Sequence, residues 1–490
     1  MTTTTSSILP SIDLDDESCE NLDLLRDTCR EIGFFYLRLS PETDLVCQRA
    51  AEAARSFFET ASDEEKRSIE NVQSPAFRGF IRYGAENTGG KADLREQIEI
   101  GPDEDITVTP EDQIFNRLRG KNLWPGESSS HSGLKRSIEA FLGTMENLSR
   151  RLTRLLSLSL RMEADSLDVS VIGPHPHFQA KAAFYPSVRT QAHRSPVERD
   201  SSEEGEKGDA EARGESGEGA DMSLGVGAHT DSGFLTLLWQ DGPGLQALLP
   251  SHRIPPTAGA IGDGQETDGT GSTRVQSDDA GAMGDHQETK RSSSSAMVKK
   301  QGGGKWVDVP PVAGSVVVNL GEMLQLATGG LFKATPHRVL PPSPNSRGRV
   351  SLPFFWNPSL DQTVTDSLSR QLLLSRHTGN AALSPPPILD QSDSQAESSL
   401  VGSVPQVKVG GRGMSPLPGI AANGNERKSY LEAGAEAADI ESFAGRKKNR
   451  LIAQFGMNAF KSLARSHPEV MKRHHPDLRV CPDGTVVRLN

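Results

Sequence analysis

Three stretches of this sequence decide how it is interpreted: AHTDSGFLTLL at 228–238, FKATPHRVL at 332–340 and RVSLPFF at 349–355. Within the first, segment 233–239 is rich in leucine and aromatic residues, and the turn sequence GPG follows it closely. This pattern predicts a strand. Alternate residues of a strand point to the same face of the sheet. On this interpretation, His229 and Asp231 project together.

These two side chains and His337 form a candidate metal site. Neutral imidazoles and a carboxylate suit a borderline or hard divalent ion. Two histidines and one carboxylate occupy one face of an octahedron and leave the opposite face open, as oxygen-activating Fe(II) sites require. A structural zinc site is usually closed by cysteine, and no cysteine lies between Cys47 and Cys481.

A candidate anion site lies a few residues further along the chain. Arg349 and Ser351 are two residues apart, so on a strand they share a face. A guanidinium matches a carboxylate with two parallel hydrogen bonds, and a hydroxyl adds a third. The pair therefore predicts a binding site for a small acidic cosubstrate.

Together these residues resemble the iron(II)- and 2-oxoglutarate-dependent dioxygenases of the isopenicillin N synthase-like group, whose pattern is H-x-D, a distant H, and R-x-S. The matching stretches are HTDSGFLTLLWQD at 229–241, GLQAL at 244–248, WVDVPP at 306–311, VVVNLGEMLQ at 316–325 and FKATPHRV at 332–339. Near the N-terminus, the order IDL, helix, GFFY is also similar to this family.

The resemblance implies a reaction. Fe(II) is held by His229, Asp231 and His337, and 2-oxoglutarate chelates it while its far carboxylate pairs with Arg349 and Ser351. Oxygen is the third component, and a C–H bond of a small organic molecule is hydroxylated or desaturated as 2-oxoglutarate is converted to succinate and carbon dioxide. The iron supplies the chemistry, and the protein supplies an open coordination face and a dry pocket.

One further cosubstrate contact is implied by the same resemblance. Tyr185-Pro186 is similar to the Y-P motif of the family, whose tyrosine often contacts the cosubstrate carboxylate. The asparagine usually found just upstream is replaced by Ala183-Phe184. Tyr185 is therefore expected to bind 2-oxoglutarate, and the alternative is a half-buried core tyrosine.

The expected fold is mainly β with flanking helices: a double-stranded β-helix, or jelly-roll barrel, with an N-terminal α/β region. The clearest helix is predicted over 135–162, where apolar residues recur at helical spacing. The expected organisation is an N-terminal region at 1–165, a barrel core at 166–358, a low-complexity linker at 359–445 and a C-terminal helical segment at 446–490.

Two stretches inside the core are predicted to be disordered inserts, 191–221 and 251–304. Neither contains an aromatic residue, and 197–221 holds ten acidic and three basic residues, so neither can form a packed core. The second insert explains the ligand spacing. His229 and His337 are 108 positions apart, and removing these 54 residues leaves 54, a plausible distance between two strands of one barrel.

Composition limits the classes of partner and compartment. The net charge of −12 gives no reason to expect nucleic-acid binding. No apolar run approaches the roughly 18 residues of a membrane span, and the first residues lack the pattern of a signal peptide. Four scattered cysteines fit reduced thiols. We expect a cytoplasmic monomer that acts on a small molecule. His175 and His177 are expected to be solvated loop residues.

Three alternatives remain open from the sequence. A relative can oxidise its substrate without 2-oxoglutarate, as isopenicillin N synthase does, and there the R-x-S pair can hold a substrate carboxylate. A catalytically idle barrel could bind a small acid, or serve as a scaffold whose inserts recruit partners. Zinc hydrolysis is disfavoured because no motif positions a general base.

Overall fold

The computed structural model describes residues 8–88, 91–109, 111–187, 224–251, 304–365, 368, 451–482 and 484–489. Most of the predicted inserts and linker lie outside these residues. None of 191–221 is described, only the end residues of 251–304 are, and of 359–445 only 359–365 and Leu368 are.

Helices and strands alternate at first and then give way to a mainly β region. The helices are α1 (Cys19–Glu31), α2 (Pro41–Thr60), α3 (Asp63–Ser68), α4 (Gly133–Ser159), α5 (Glu322–Ala327), α6 (Phe455–Ser466) and α7 (Pro468–His474). The strands are β1 (Ser11–Ile12), β2 (Phe34–Arg38), β3 (Gly79–Ile81), β4 (Asn87–Thr88), β5 (Lys91–Ala92), β6 (Glu96–Ile100), β7 (His177–Tyr185), β8 (Val226–His229), β9 (Leu235–Gln240), β10 (Leu245–Leu249), β11 (Lys305–Asp308), β12 (Ser315–Leu320), β13 (His337–Val339), β14 (Arg349–Asn357), β15 (Leu478–Val480) and β16 (Val486–Arg488).

Two sheets form the centre of the molecule. The larger has the strand order β1-β2-β12-β9-β14-β7-β6-β3, and the smaller has the order β11-β10-β13-β8. Apart from the parallel pair β1–β2, the strand pairs of both sheets are antiparallel. Several strands that are neighbours in a sheet, such as β2 and β12 or β7 and β14, are far apart in sequence, as in a jelly roll. The predicted fold class, a mainly β double-stranded β-helix with flanking helices, is confirmed.

The large sheet is buried on both faces, which explains its continuous apolar runs. In β12, Val317 faces a cluster between the two sheets, while Val316 and Val318 face a second cluster shared with the helices. The cluster between the sheets draws on strands of both, for example Tyr185 of β7 and Ala247 of β10. The barrel interior is therefore largely apolar, and the polar side chains within it stand out as candidates for function.

Helices α1, α2 and α4 cover the outer face of the large sheet. Helix α4 confirms the predicted helix near 135–162, and its apolar stripe is buried. Each of the first three helices begins at a serine whose hydroxyl accepts a backbone N–H, namely Ser18, Ser40 and Ser62. No helix of the described residues combines the length and apolarity needed to cross a bilayer.

The strand pairings place the second predicted insert at the end of a hairpin. Strands β10 and β11 are antiparallel partners, and Leu249 pairs with Lys305 on either side of 251–304.

The prediction that His177 is a solvated loop residue was wrong. It is the first residue of β7 and is 4% exposed, because it packs against Phe455 of α6. His175 is exposed, as expected.

The C-terminal segment folds back onto the N-terminal half. Arg117 donates two hydrogen bonds to Asp477, at 2.7 and 2.6 Å, and Phe77 packs edge-on against Phe460 of α6. Beyond its predicted helix, this segment contains the hairpin β15–β16, which the sequence analysis missed. These contacts hold α6 beside the end of the barrel where the candidate site lies.

Candidate metal centre and adjacent cavity

The three predicted metal ligands lie together. His229 ends β8 and His337 begins β13, and the two are cross-strand partners with ring centroids 4.3 Å apart. The Nε2 atom of each ring lies 3.7 Å from Asp231 Oδ1. One donor atom from each residue falls within 4.8 Å of the others. The geometry fits a single ion bound by all three.

The way in which Asp231 reaches this position differs from the prediction. His229 and Asp231 do not share a strand, because β8 ends at His229 and β9 begins only at Leu235. Asp231 lies in the bend that carries the chain from the small sheet to the large one. Its carbonyl accepts the backbone N–H of Glu322 at 2.8 Å. Gly321 is required here, since a Cβ atom would lie 2.0 Å from Gly233 O.

Hydrogen bonds fix the orientation of each of the three side chains. The Nδ1 atoms of His229 and His337 donate to the carbonyls of Gly227 (2.8 Å) and Thr335 (3.2 Å). This leaves the lone pair of each Nε2 for a metal. Asp231 Oδ2 accepts hydrogen bonds from Thr236 (2.5 Å) and Asn319 (2.7 Å), so Oδ1 is directed at the imidazoles.

Thr236 and Asn319 were not identified from the sequence. Each is a polar residue inside an apolar strand, in FLTLL and VVVNL. That pattern is the signal that could have revealed them, because a buried polar side chain needs a partner.

The protonation states also fit a metal. Burial, together with the neighbouring His337, lowers the pKa of His229 to about 4, so this imidazole is neutral near pH 7. Burial alone would raise the pKa of Asp231, but the two imidazoles and the hydrogen bonds from Thr236 and Asn319 outweigh it and lower the pKa. A neutral imidazole and an ionised carboxylate are the forms that bind metal.

Arg349 lies inside the barrel with one donor group unused. It is 2% exposed, its Nε donates to Gly242 O at 3.1 Å, and its Nη2 donates to Gln240 Oε1 at 2.7 Å. Its Nη1 has no hydrogen-bond partner among the described residues. A buried charged donor without a partner is costly, so the site fits an anion such as the far carboxylate of 2-oxoglutarate.

Ser351 and Tyr185 lie beside this guanidinium. Ser351 is 2% exposed and two residues along the same strand, and Tyr185 is the cross-strand partner of Arg349. The Arg349 guanidinium carbon lies 4.9 Å from the centre of the Tyr185 ring, a cation–π contact. The Tyr185 hydroxyl accepts a hydrogen bond from Arg95 at 3.3 Å. Burial would raise the pKa of Tyr185, but Arg95 and Arg349 outweigh it and lower the pKa.

A cavity of about 250 Å³ lies beside two of the three candidate ligands. His229 and Asp231 line part of it, and Phe355 and helix α6, through Phe455 and Ser462, line another part. Arg349, Ser351 and Tyr185 are not among the described residues that line it. The cavity is therefore distinct from the candidate cosubstrate site, although Arg95, which lines it, hydrogen-bonds Tyr185.

A dense network of charges, which is not apparent from the sequence, forms one wall of this cavity. Glu86 accepts hydrogen bonds from Lys181 at 3.1 Å and from Arg95 at 2.6 Å. Lys181 also contacts Glu99 at 2.8 Å, and Arg95 also contacts Asp93 at 3.3 Å. Burial would raise the pKa of Glu86, but Lys181 and Arg95 outweigh it, so its pKa is lowered and it is ionised.

Comparison with known families agrees with this geometry. The family described as non-haem dioxygenase in morphine synthesis, N-terminal, matches residues 9–127, and the 2OG-Fe(II) oxygenase superfamily matches residues 250–358. The second match contains His337, Arg349 and Ser351.

The chain belongs to the iron(II)- and 2-oxoglutarate-dependent oxygenases. It is an oxidoreductase, a dioxygenase that acts on a small organic molecule and uses Fe(II), 2-oxoglutarate and oxygen. The comparisons support this function and not an oxidase that works without 2-oxoglutarate.

Curated relatives of this oxygenase include plant and fungal proteins. A homoarginine-6-hydroxylase of Oryza sativa subsp. japonica is 27% identical over 355 residues, which cover 72% of this chain and 83% of the relative. A 2-oxoglutarate-dependent dioxygenase of Gibberella zeae is 28% identical over 356 residues, covering 70% and 72%. Among solved structures, the dioxygenase for auxin oxidation in rice is 19% identical with a TM-score of 0.44, and the match covers 75% of this chain and 96% of that one.

Proposed function

We propose that His229, Asp231 and His337 hold the Fe(II) ion of this oxygenase, and that Arg349 and Ser351, supported by Tyr185, bind the far carboxylate of 2-oxoglutarate. The observation that carries the proposal is the convergence of two Nε2 atoms on one carboxylate oxygen, at 3.7 Å each, while the remaining polar atoms of all three groups are already hydrogen-bonded.

The side chains contribute mainly by orientation and by exclusion of water. Gln240 and the carbonyl of Gly242 hold the Arg349 guanidinium so that Nη1 is available for a carboxylate oxygen. Tyr185 packs against the guanidinium and accepts a hydrogen bond from Arg95, so it acts on the cosubstrate chiefly through Arg349. Bound iron, with oxygen and 2-oxoglutarate, supplies the oxidant that attacks a C–H bond of the substrate.

We propose that the substrate is small and polar, and that it is hydroxylated. Relatives from rice, soybean and Arabidopsis thaliana are named homoarginine-6-hydroxylases, at 24–27% identity. The cavity of about 250 Å³ is smaller than the usual site for a drug-sized ligand. Both observations favour a molecule of amino-acid size.

We also propose that the enzyme is a cytoplasmic monomer with the domain limits 1–165, 166–358, 359–445 and 446–490. The four cysteines are all unpaired, and Cys29 and Cys47 are buried, which suits a reducing compartment. Light scattering of the purified protein tests the monomer, because a mass near twice the 52.8 kDa of the chain contradicts it.

The decisive experiment removes the carboxylate of the proposed metal site. Asp231→Ala should weaken Fe(II) binding at least about 100-fold, because even residues that only support metal ligands contribute about 10- to 100-fold in affinity. It should also abolish the stimulation of oxygen uptake by 2-oxoglutarate. Metal content and oxygen consumption of anaerobically purified protein measure both effects.

The matched control is Asp308→Ala, which removes an exposed carboxylate from β11 that accepts a hydrogen bond from Gln246. It should leave both readouts unchanged. An Asp231→Ala protein that keeps its iron and its 2-oxoglutarate-stimulated oxygen uptake contradicts the proposed site.

A further inference from the structure

Most polar side-chain atoms in the charged wall of the cavity are paired with one another. Arg95 Nε has no partner among the described residues but is itself buried, and one carboxylate of the wall also has an unpaired oxygen. Both oxygens of Glu86 are occupied, Oε1 by Lys181 and Oε2 by Arg95 and Gln97. Glu99 differs from it. The hydrogen bonds that it accepts, from Lys181 at 2.8 Å and from Gln97 at 3.2 Å, both end on Oε1. Glu99 Oε2 accepts none from the described residues, although Glu99 lines the cavity.

The charged neighbours of Glu99 leave that oxygen open. Lys181 contacts the carboxylates of both Glu86 and Glu99, at 3.1 and 2.8 Å, and so shares its charge between them. Arg78 is a further cation near Glu99, but it is buried against Gly101, donates to Leu118 O at 2.9 Å and does not line the cavity. A cationic ligand in the cavity can therefore pair with the open oxygen of Glu99.

Two further side chains beside Glu99 each have one atom without a partner among the described residues, although neither side chain lines the cavity. Gln97 is 1% exposed and its Oε1 accepts no hydrogen bond. His467 is 6% exposed, its Nε2 is unpaired, and one of its ring nitrogens lies within 4.8 Å of the Glu86 and Glu99 carboxylate oxygens. Buried polar groups are rarely left unpaired, so this corner of the protein has the features of a ligand site.

A metal ion is not the occupant that fits. Glu86, Glu99 and His467 are close enough to bind one, but both oxygens of Glu86 already accept hydrogen bonds, Oε1 from Lys181 and Oε2 from Arg95 and Gln97. An organic cation needs only the open Oε2 of Glu99, and its several N–H groups can also reach uncharged acceptors.

We propose that the substrate of this oxygenase carries a guanidinium or ammonium group that binds Glu99 Oε2. The inference rests on the function proposed above, because it takes His229 and Asp231 as the reactive end of the same cavity. Glu86 keeps Arg95 and Lys181 in place, and Glu99 recognises the charge of the substrate. The substrate class is therefore a small basic amino acid or a related amine.

Binding, measured without turnover, tests this. Full-length protein loaded with Mn(II) and 2-oxoglutarate under anaerobic conditions is titrated calorimetrically with L-arginine, L-lysine and agmatine. The same titration with L-citrulline uses a neutral molecule of nearly the same shape as arginine. We expect at least one of the cations to bind, and L-arginine to bind at least about tenfold more tightly than L-citrulline.

Glu99→Gln removes the charge and keeps the size of the side chain. It should weaken binding of the cation about 10- to 100-fold, as expected when one partner of a buried charge pair is lost. The matched control is Glu96→Gln on the same strand, whose side chain faces Lys66 and does not line the cavity. It should bind the cation as the unmodified protein does.

Three results overturn the inference: none of the cations binds, L-citrulline binds as tightly as L-arginine, or Glu99→Gln leaves binding unchanged. The comparison of L-arginine with L-citrulline uses unmodified protein, so it stands even if Glu99→Gln does not fold. Binding of 2-oxoglutarate itself is measured in parallel. Its absence would contradict the proposed function, whereas its presence without cation binding contradicts only this inference.

Discussion

On the side of Arg349 the barrel interior is largely apolar, and the Arg349 guanidinium has one donor, Nη1, without a partner among the described residues. On the side of the cavity, two carboxylates, of Glu86 and Glu99, and two cations, of Arg95 and Lys181, line the wall. A cation in apolar surroundings binds an anionic ligand strongly, because few other charges compete with the ligand or screen the attraction. In a nearly balanced network, selectivity depends instead on the least satisfied group, here Glu99. One side therefore suits a fixed cosubstrate, and the other suits a substrate distinguished by its charge.

The largest change in ligand affinity is expected when Arg349 is substituted. Arg349→Gln removes the buried cation, and we expect the Kd for 2-oxoglutarate to rise about 100-fold. Calorimetric titration of the Mn(II)-loaded protein measures it. Arg347→Gln is the control, because that side chain is 74% exposed and two residues upstream. If Arg349→Gln weakens a cavity ligand as much as 2-oxoglutarate, the two sides are not independent.

A smaller change, in metal affinity, is expected when Asn319 is substituted. This residue hydrogen-bonds Asp231 and belongs neither to the Arg349 site nor to the cavity wall. Asn319→Ala removes one of the two hydrogen bonds that direct the Asp231 carboxylate, while Thr236 keeps the other. Metal affinity should fall about tenfold, as measured by competition with a metal-binding dye. Ser315→Ala at the start of the same strand should have no effect. An unchanged affinity in Asn319→Ala would mean that Thr236 and the bend alone position Asp231.

The smallest change in metal and 2-oxoglutarate affinity is expected when the insert 251–304 is removed. Deletion of 251–304, with a short turn joining β10 to β11, should leave the affinities for metal and 2-oxoglutarate unchanged. The reason is that the pairing of Leu249 with Lys305 already brings the two ends together. Metal analysis and the same titrations measure this. Loss of metal from the deletion variant would contradict the β10–β11 pairing.

The sequence was most informative where the spacing of residues along one strand or helix determines which face their side chains share. Arg349 and Ser351 share a face because they lie in one strand, as predicted. His229 and Asp231 converge as predicted, but through a bend between sheets, and the sequence pattern H-x-D is the same in a strand and in a bend. The apolar stripe of α4 was equally readable, since it depends on neighbours within a few residues.

The charged wall could not be predicted in the same way. Glu99 meets Lys181 only because β6 pairs with β7 in one particular register, and Glu86 joins them from a loop outside both strands. His177 was misjudged for a related reason, since its burial depends on Phe455, which lies 278 positions later. Sequence patterns report local periodicity, whereas these contacts depend on which strands and helices become neighbours.

Helix α6, which lines the cavity, has a consequence for the order in which the protein is made. Phe455 leaves the ribosome 118 positions after His337, the last of the three metal-binding candidates. A nascent chain halted between Asn357 and Phe455 has every proposed metal donor and Arg349, but it lacks the helix that lines the cavity. Synthesis thus produces the donors of the reactive centre before the helix that borders the proposed substrate.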